Sequence, residues 1–257
     1  MPASLTFSAG TLYGFLLVLA RISGAFVFVP LPGFNASAGA ARVALTLGFT
    51  LALRSYWPAM DTAAVTPARL AVWAAGESAV GIVIGLSVAI VLEAFTLAAQ
   101  VLGLQAGYGY ASTVDPNTQA DAGILLVMAQ LVAGLMFFAL GLDLEVLRLF
   151  ARSFEKIPAG TYGLRADSAE RLIRLGAGLF SVGVRIALPV IALLLLVDVA
   201  LALLGRLNAQ LQLISLAFPA KMLMALLVLS WIAPLLPKLV RAFSAEAWTA
   251  ASRVLGL

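Results

Sequence analysis

The sequence predicts an all-α membrane protein, and three observations carry that prediction. The chain of 257 residues is 63% hydrophobic and 11% charged, where a soluble domain is about 25% charged. Its apolar residues gather into about six runs, several long enough to cross a hydrocarbon core of about 30 Å. No stretch between those runs has the composition of a soluble domain. A bilayer interior admits only helices and closed barrels, and unbroken apolar runs of this length select helices.

The first run, 9–29, is long enough to span and carries Gly10 and Gly14 at small-xxx-small spacing. Arg21 and Ser23 lie inside it, and Pro30-Leu31-Pro32-Gly33 ends it. A weaker run covers 40–59, with Arg42 and Arg54 near its ends and Tyr56-Trp57 suited to a membrane interface. From Ala71 to Leu102 there is no proline, so one helix of about 48 Å is allowed, longer than a bilayer core is thick. Glu77 and Glu93 lie within it, and a carboxylate there must find a partner or cost several kcal/mol. Gly81 and Gly85 give that helix a close-packing face.

A fourth run spans 124–142, and Asp143–Arg174 is the most water-compatible region, with a Pro158-Ala159-Gly160 turn. The fifth run, 172–204, contains Arg185, Pro189 and Asp198. Those two charges are 13 positions apart, about 20 Å along one helix, so each needs a partner on another helix or subunit. A polar interruption follows at 206–221, then a last run, 222–237, and a short amphipathic helix beyond Lys238. Basic residues concentrate in the second and fourth loops and the tail, which by the positive-inside rule puts both termini in the cytoplasm.

The most unusual stretch is Gln100–Gly123, polar, glycine-rich and aromatic at once and without Lys or Arg. Gly103, Gly107 and Gly109 loosen its backbone, Tyr108, Tyr110 and Val114 supply bulk, and Asp115-Pro116-Asn117 signals a turn. Over 20 residues is long for a loop in a compact protein, and such loops are usually functional or disordered.

Composition also excludes chemistry. With no Cys and no His, disulfides, thiolate or imidazole metal sites and the Ser-His-Asp and Cys-His catalytic arrangements are all ruled out. No cofactor, metal or catalytic residue is expected, and no basic run suits nucleic acid. The first ten residues hold no Lys or Arg, so no cleaved signal peptide is expected. Residue pattern alone leaves two classes open. One is a transporter or channel with a site at broken helices. The other is an assembly subunit whose apolar faces and unpaired charges are completed by other chains.

Glu93, then Gln100-Val101-Leu102-Gly103 and the run to Val114-Asp115-Pro116, is similar to the signature of the FliR family of flagellar export-gate proteins and their injectisome counterparts. The resemblance continues through Arg21-Ile22-Ser23-Gly24 with Pro30 and Gly33, Gly76-Glu77 with Gly81 and Gly85, Arg185 with Pro189, Asp198, and Phe218-Pro219 with Lys221. It departs at Asn208-Ala209-Gln210, where the family has Ala-Pro-Gln, and around 107–110, which is richer in glycine and tyrosine.

What the resemblance implies is a non-enzymatic subunit, its segments packed as helical hairpins in a multi-subunit export gate. Residues 1–171 would form a FliP-like portion, and 172–257 a FliQ-like hairpin and tail. Its partners would be FliP, FliQ, FlhB near the entrance, membrane lipid, and the unfolded flagellar proteins that pass through. It would sit in the bacterial inner membrane, at the flagellar basal body. The 100–123 stretch, with Gly103, Gly107, Tyr108, Gly109, Tyr110, Val114, Asp115 and Pro116, would be the plug. Arg21, Glu77, Glu93, Arg185 and Asp198 would be buried charges meeting other subunits. Arg206, Phe218, Pro219 and Lys221 would form a turn facing the cytoplasmic entrance, which disagrees with the orientation drawn from charge counting.

Overall fold

A computed structural model describes residues 9–29, 38–60, 65–108, 124–162, 166–207 and 213–257. The α-helices are α1 (Ala9–Phe28), α2 (Ala38–Ala52), α3 (Pro67–Ala106), α4 (Ile124–Ala139), α5 (Leu142–Lys156), α6 (Ala166–Leu207), α7 (Leu213–Ile232) and α8 (Leu236–Leu255). No strand occurs among the described residues. Four helices are long and apolar enough to cross a membrane, or five spans if α4 and α5 count as one broken pair.

The second apolar run does not make a span. α2 has 15 residues, about 22 Å, and gives way to a 3₁₀ turn at Arg54–Tyr56. Pro58 biases its predecessor toward extended backbone, and Trp57 takes φ −71° and ψ 117°. Tyr56 and Trp57, expected at a membrane interface, are turned inward. Tyr56 stacks on Phe154 at 5.4 Å and Trp57 meets Phe15 edge-on at 5.1 Å. The Trp57 indole N–H donates to the Thr50 carbonyl at 3.0 Å.

By contrast, α3 is one uninterrupted helix of 40 residues, about 60 Å long. α6 has 42 residues and runs through Pro189. Proline there removes the hydrogen bond that the Arg185 carbonyl would otherwise receive. α8 matches the expected amphipathic tail and begins two residues earlier, at Leu236.

Two compact units emerge, each assembled from several stretches. The first comprises Met1–Ile90, Gly141–Gly176 and Ser244–Leu257. Its core joins Val18 and Ile22 of α1, Val80 and Ile84 of α3, Phe150 and Phe154 of α5, and Ala251 and Val254 of α8. The second comprises Val91–Leu140 and Ala177–Phe243. Its core joins Ala98 and Leu102 of α3, Val190 and Leu194 of α6, and Ala225 and Val228 of α7. Helices α3, α6 and α8 contribute residues to both.

Glycines set the backbone spacing of α1 and α3. A Cβ at Gly81 would collide with the carbonyl oxygen of Arg21, one at Gly85 with that of Ala25, and one at Gly24 with that of Ser78. At these three positions no side chain fits between the helices.

Candidate functional site

Two polar clusters lie inside otherwise apolar packing. In the first unit, Arg21 and Glu77 are completely buried. They are 56 residues apart, on α1 and α3, and the Arg21 Nε–H donates to Glu77 Oε2 at 2.6 Å. The guanidinium also donates to Ser153 Oγ at 3.2 Å and to the Ile157 carbonyl at 2.9 Å. Its plane lies 4.2 Å from the centre of the Phe154 ring. The other carboxylate oxygen of Glu77 accepts the Gly160 backbone N–H at 2.8 Å.

That last bond fixes the Pro158-Ala159-Gly160 turn. Gly160 has φ +87°, a left-handed value that glycine adopts without strain, and Thr161 N–H closes the turn onto the Pro158 carbonyl at 3.1 Å. One ion pair thus ties α1, α3, α5 and the turn after α5 together. Arg21 and Glu77 thus satisfy each other within the chain. α1 and α3 can approach that closely only because residues 24, 81 and 85 are glycine.

The second cluster lies in the second unit, where α3 ends. The 100–123 stretch was expected to be a loop, with helix allowed only as far as Leu102, yet α3 continues to Ala106. Gly103 is therefore a buried helical residue, and Gly107, at φ +83°, ends the helix. Tyr108 N–H returns to the Gly103 carbonyl at 3.0 Å and Gly107 N–H to that of Leu104 at 3.2 Å. This pair of bonds is the Schellman termination. Gly109, Tyr110, Val114, Asp115 and Pro116 lie outside the described residues.

Around this capped end, three helices meet through polar side chains. Lys221 Nζ of α7 lies 2.8 Å and 3.0 Å from the two oxygens of Asp198 on α6. Gln105, in the last turn of α3, donates its amide to Asp198 Oδ2 at 3.1 Å. Tyr108 reaches toward the Met222 carbonyl at 3.5 Å, and burial pushes its phenol above the ordinary value. It remains a neutral donor at physiological pH.

Asp198 thus finds its partners on other helices of the same chain. Lys221 and Pro219 were assigned to an interhelical turn, but they lie within α7, as does Phe218. α6 ends at Leu207 and α7 begins at Leu213, and Arg206 is exposed in the last turn of α6. Pro219 is the seventh residue of α7, so the Ser215 carbonyl loses its helical donor, as that of Arg185 does in α6.

Glu93 on α3 and Arg185 on α6 are exposed, and neither has a hydrogen bond or ion pair among the described residues. Gln105 is the participant that sequence reasoning missed. It lay in view inside the glycine-rich stretch, but only the extra helical turn points its amide at Asp198.

Neither cluster contains a nucleophile with an adjacent base, and no group of metal-ligating side chains occurs among the described residues. What the second cluster offers is a latch. Asp198 is 39% exposed and Lys221 13% exposed, and partly exposed ion pairs of this kind are worth about 0–1 kcal/mol. It can hold an element in place and release it at low cost.

A membrane protein that is all-helical among the described residues, with one fully buried ion pair, is the class that fold and sites define. The profile of the bacterial export proteins, family 1, matches residues 12–247. The flagellar biosynthetic protein FliR of Pectobacterium carotovorum subsp. carotovorum is 30% identical over 226 residues, covering 87% of this chain and 84% of that protein. FliR of Escherichia coli (strain K12) is 28% identical, covering 76% and 74%. FliR of Bacillus subtilis (strain 168) is 24% identical, covering 84% of each chain. The chain belongs to this family of bacterial export proteins, and within it to the FliR proteins.

Proposed function

We propose that the chain is the FliR subunit of a flagellar type III protein export gate. With FliP and FliQ it would form the channel through which unfolded flagellar proteins leave the cell, with FlhB beside the entrance. It would act at the bacterial inner membrane, in the basal body of the flagellum, without catalytic chemistry of its own. The likeness to FliR across most of the chain is the observation that supports this reading. The proposed division into a FliP-like 1–171 and a FliQ-like 172–257 goes with it.

The 100–123 stretch is the proposed plug. A capped helix end gives it a fixed root at Gly107, and the Asp198–Lys221–Gln105 cluster holds that root against α6 and α7. A plug needs such a root, and a root held by a weak pair can yield when substrate passes. Glu93 and Arg185, exposed on apolar helices, are the charges proposed to meet other subunits, because an ionised side chain facing hydrocarbon is costly.

Coexpression with FliP and FliQ, followed by mass measurement of the purified complex, tests the assignment. A defined hetero-oligomer containing this chain is expected. A chain that remains alone and moves a small solute after reconstitution would instead establish a transporter. Deleting Gly107–Ala120 is expected to leave assembly intact and make reconstituted vesicles leak ions. Loss of assembly without leak would make the stretch scaffold instead of plug.

A further inference from the structure

A groove of about 490 Å³ opens between α1 and α2 in the first unit. Leu16, Leu19 and Val27 of α1 line one wall, with Val43 and Leu47 of α2 opposite. All but Leu19 have exposed side chains. Along α1 the lining residues follow helical spacing for about 16 Å, the ridge-and-groove surface that receives a third helix.

The polar groups in this groove are nearly all engaged. Ser23 donates to the Ala20 carbonyl at 3.0 Å and Thr46 to the Arg42 carbonyl at 2.7 Å. Arg42 is the exception, for its Nε is buried and has no hydrogen-bond partner among the described residues. A buried N–H on a cation without an acceptor costs more than a neutral one. No acid in the local sequence can serve it. The first Asp or Glu in the chain is Asp61, and Glu77 is taken by Arg21 and the Gly160 backbone N–H.

We infer that this groove receives an apolar helix of another export-apparatus subunit, and that a single carboxylate on that helix pairs with Arg42. The inference rests on the proposed export-gate function and adds to it a docking site with a chemical requirement. Guanidinium forks match carboxylates in plane and charge. A lipid tail would fill the apolar volume but bring no acceptor to an N–H lying inside the groove. A second copy docked about a two-fold axis would bring Arg42 against Arg42. At 15 residues α2 is too short to span a bilayer by itself, so a protein neighbour along this side also covers helix surface that lipid would meet incompletely.

The test uses the complex formed by coexpression with the other subunits. The photoreactive residue benzoylphenylalanine is placed at position 43, and the crosslinked species is identified by mass spectrometry. The expected product joins this chain to a helix of another subunit, with an Asp or Glu within one turn of the crosslink. Arg42→Glu is expected to lower recovery of that subunit about thirtyfold, as for loss of one partner of a buried charge pair. Replacing the partner's acid by Arg in that background should restore it.

A crosslink to lipid alone, to a second copy, or to a helix without an acid overturns the proposal, as does unchanged recovery with Arg42→Glu. If the unsubstituted chain assembles with no other subunit, the export-gate reading itself fails. A normal complex with an indifferent Arg42 removes only the groove.

Discussion

The Arg21–Glu77 pair can be tested by a double-mutant cycle whose expected outcome is strongly non-additive. Both side chains are fully buried, so removing either leaves the other as an uncompensated charge, at about 3–5 kcal/mol. For Arg21→Met, the losses are the ion pair, the bonds to Ser153 Oγ and the Ile157 carbonyl, and the stacking on Phe154. For Glu77→Leu, the loss adds the acceptor of the Gly160 N–H. Taken independently, the two would cost about 6–10 kcal/mol.

The double variant removes both charges together. What remains unsatisfied is chiefly the Gly160 N–H and the Ile157 carbonyl, at about 1–3 kcal/mol for each buried group left without a partner. Apolar replacement of a buried pair can offset part of that. Taking mid-range values, the double variant should therefore lie about 4 kcal/mol below the sum of the singles. Reversible unfolding of the chain in mixed detergent–SDS micelles, followed by circular dichroism, gives the four free energies. Additivity to within about 0.5 kcal/mol would show that the two residues act separately, and single effects under about 1 kcal/mol would place them at the surface.

Three further perturbations follow from the same geometry. Gly85→Ala puts a Cβ into the Ala25 carbonyl and should cost about 1–3 kcal/mol, whereas Gly48→Ala, with open space around it, should stabilise α2 by about 0.5–1 kcal/mol; the same unfolding assay ranks them, and equal effects would remove the close crossing of α1 and α3. Asp198→Asn should change stability by less than about 1 kcal/mol yet raise ion leak in vesicles holding the assembled complex, and a large stability loss without leak would make the cluster structural. Gly107→Ala forces a side chain into the left-handed region at φ +83°, at about 1–2 kcal/mol. Hydrogen exchange should then show faster exchange of the Gly103–Tyr108 amides, and unchanged protection there would contradict the Schellman termination.

The longest elements were legible because apolar length and proline placement act locally. The absence of proline between Ala71 and Leu102 indicated the long α3, and Pro30-Leu31-Pro32-Gly33 indicated the end of α1. Pairing was not legible. Glu77 could be seen to need a cation, but nothing in a linear chain marks Arg21, 56 residues away, as its partner. That choice is made where Gly24 lies against the Ser78 backbone and Gly81 against that of Arg21, contacts that appear only in three dimensions. The start of the glycine-rich stretch was misplaced for a related reason. Glycine lowers helix propensity, so Gly103 argued for loop, whereas its carbonyl serves as the acceptor of a helix cap set by Gly107. Pro219 misled in the same way, since α7 runs on through it at the loss of the hydrogen bond to the Ser215 carbonyl.

The contrast between the buried and exposed charges bears on how the subunit would assemble. Along α3 the most apolar window is 67% buried, while in α6 the corresponding figure is 17%. α6 and α7 therefore present Leu188, Leu196, Leu203, Leu223 and Trp231 outward, and lipid could cover such surfaces as well as protein could. Arg185 breaks that equivalence. It stands exposed on the same helix, with no acceptor among the described residues, and hydrocarbon provides none. On the export-gate reading, the side of α6 that carries Arg185 is the side that faces another subunit, and the purely apolar sides are those that can be left to lipid. Charge placement, more than hydrophobicity, then orients the subunit in its assembly, because every side of these helices is hydrophobic enough for either neighbour.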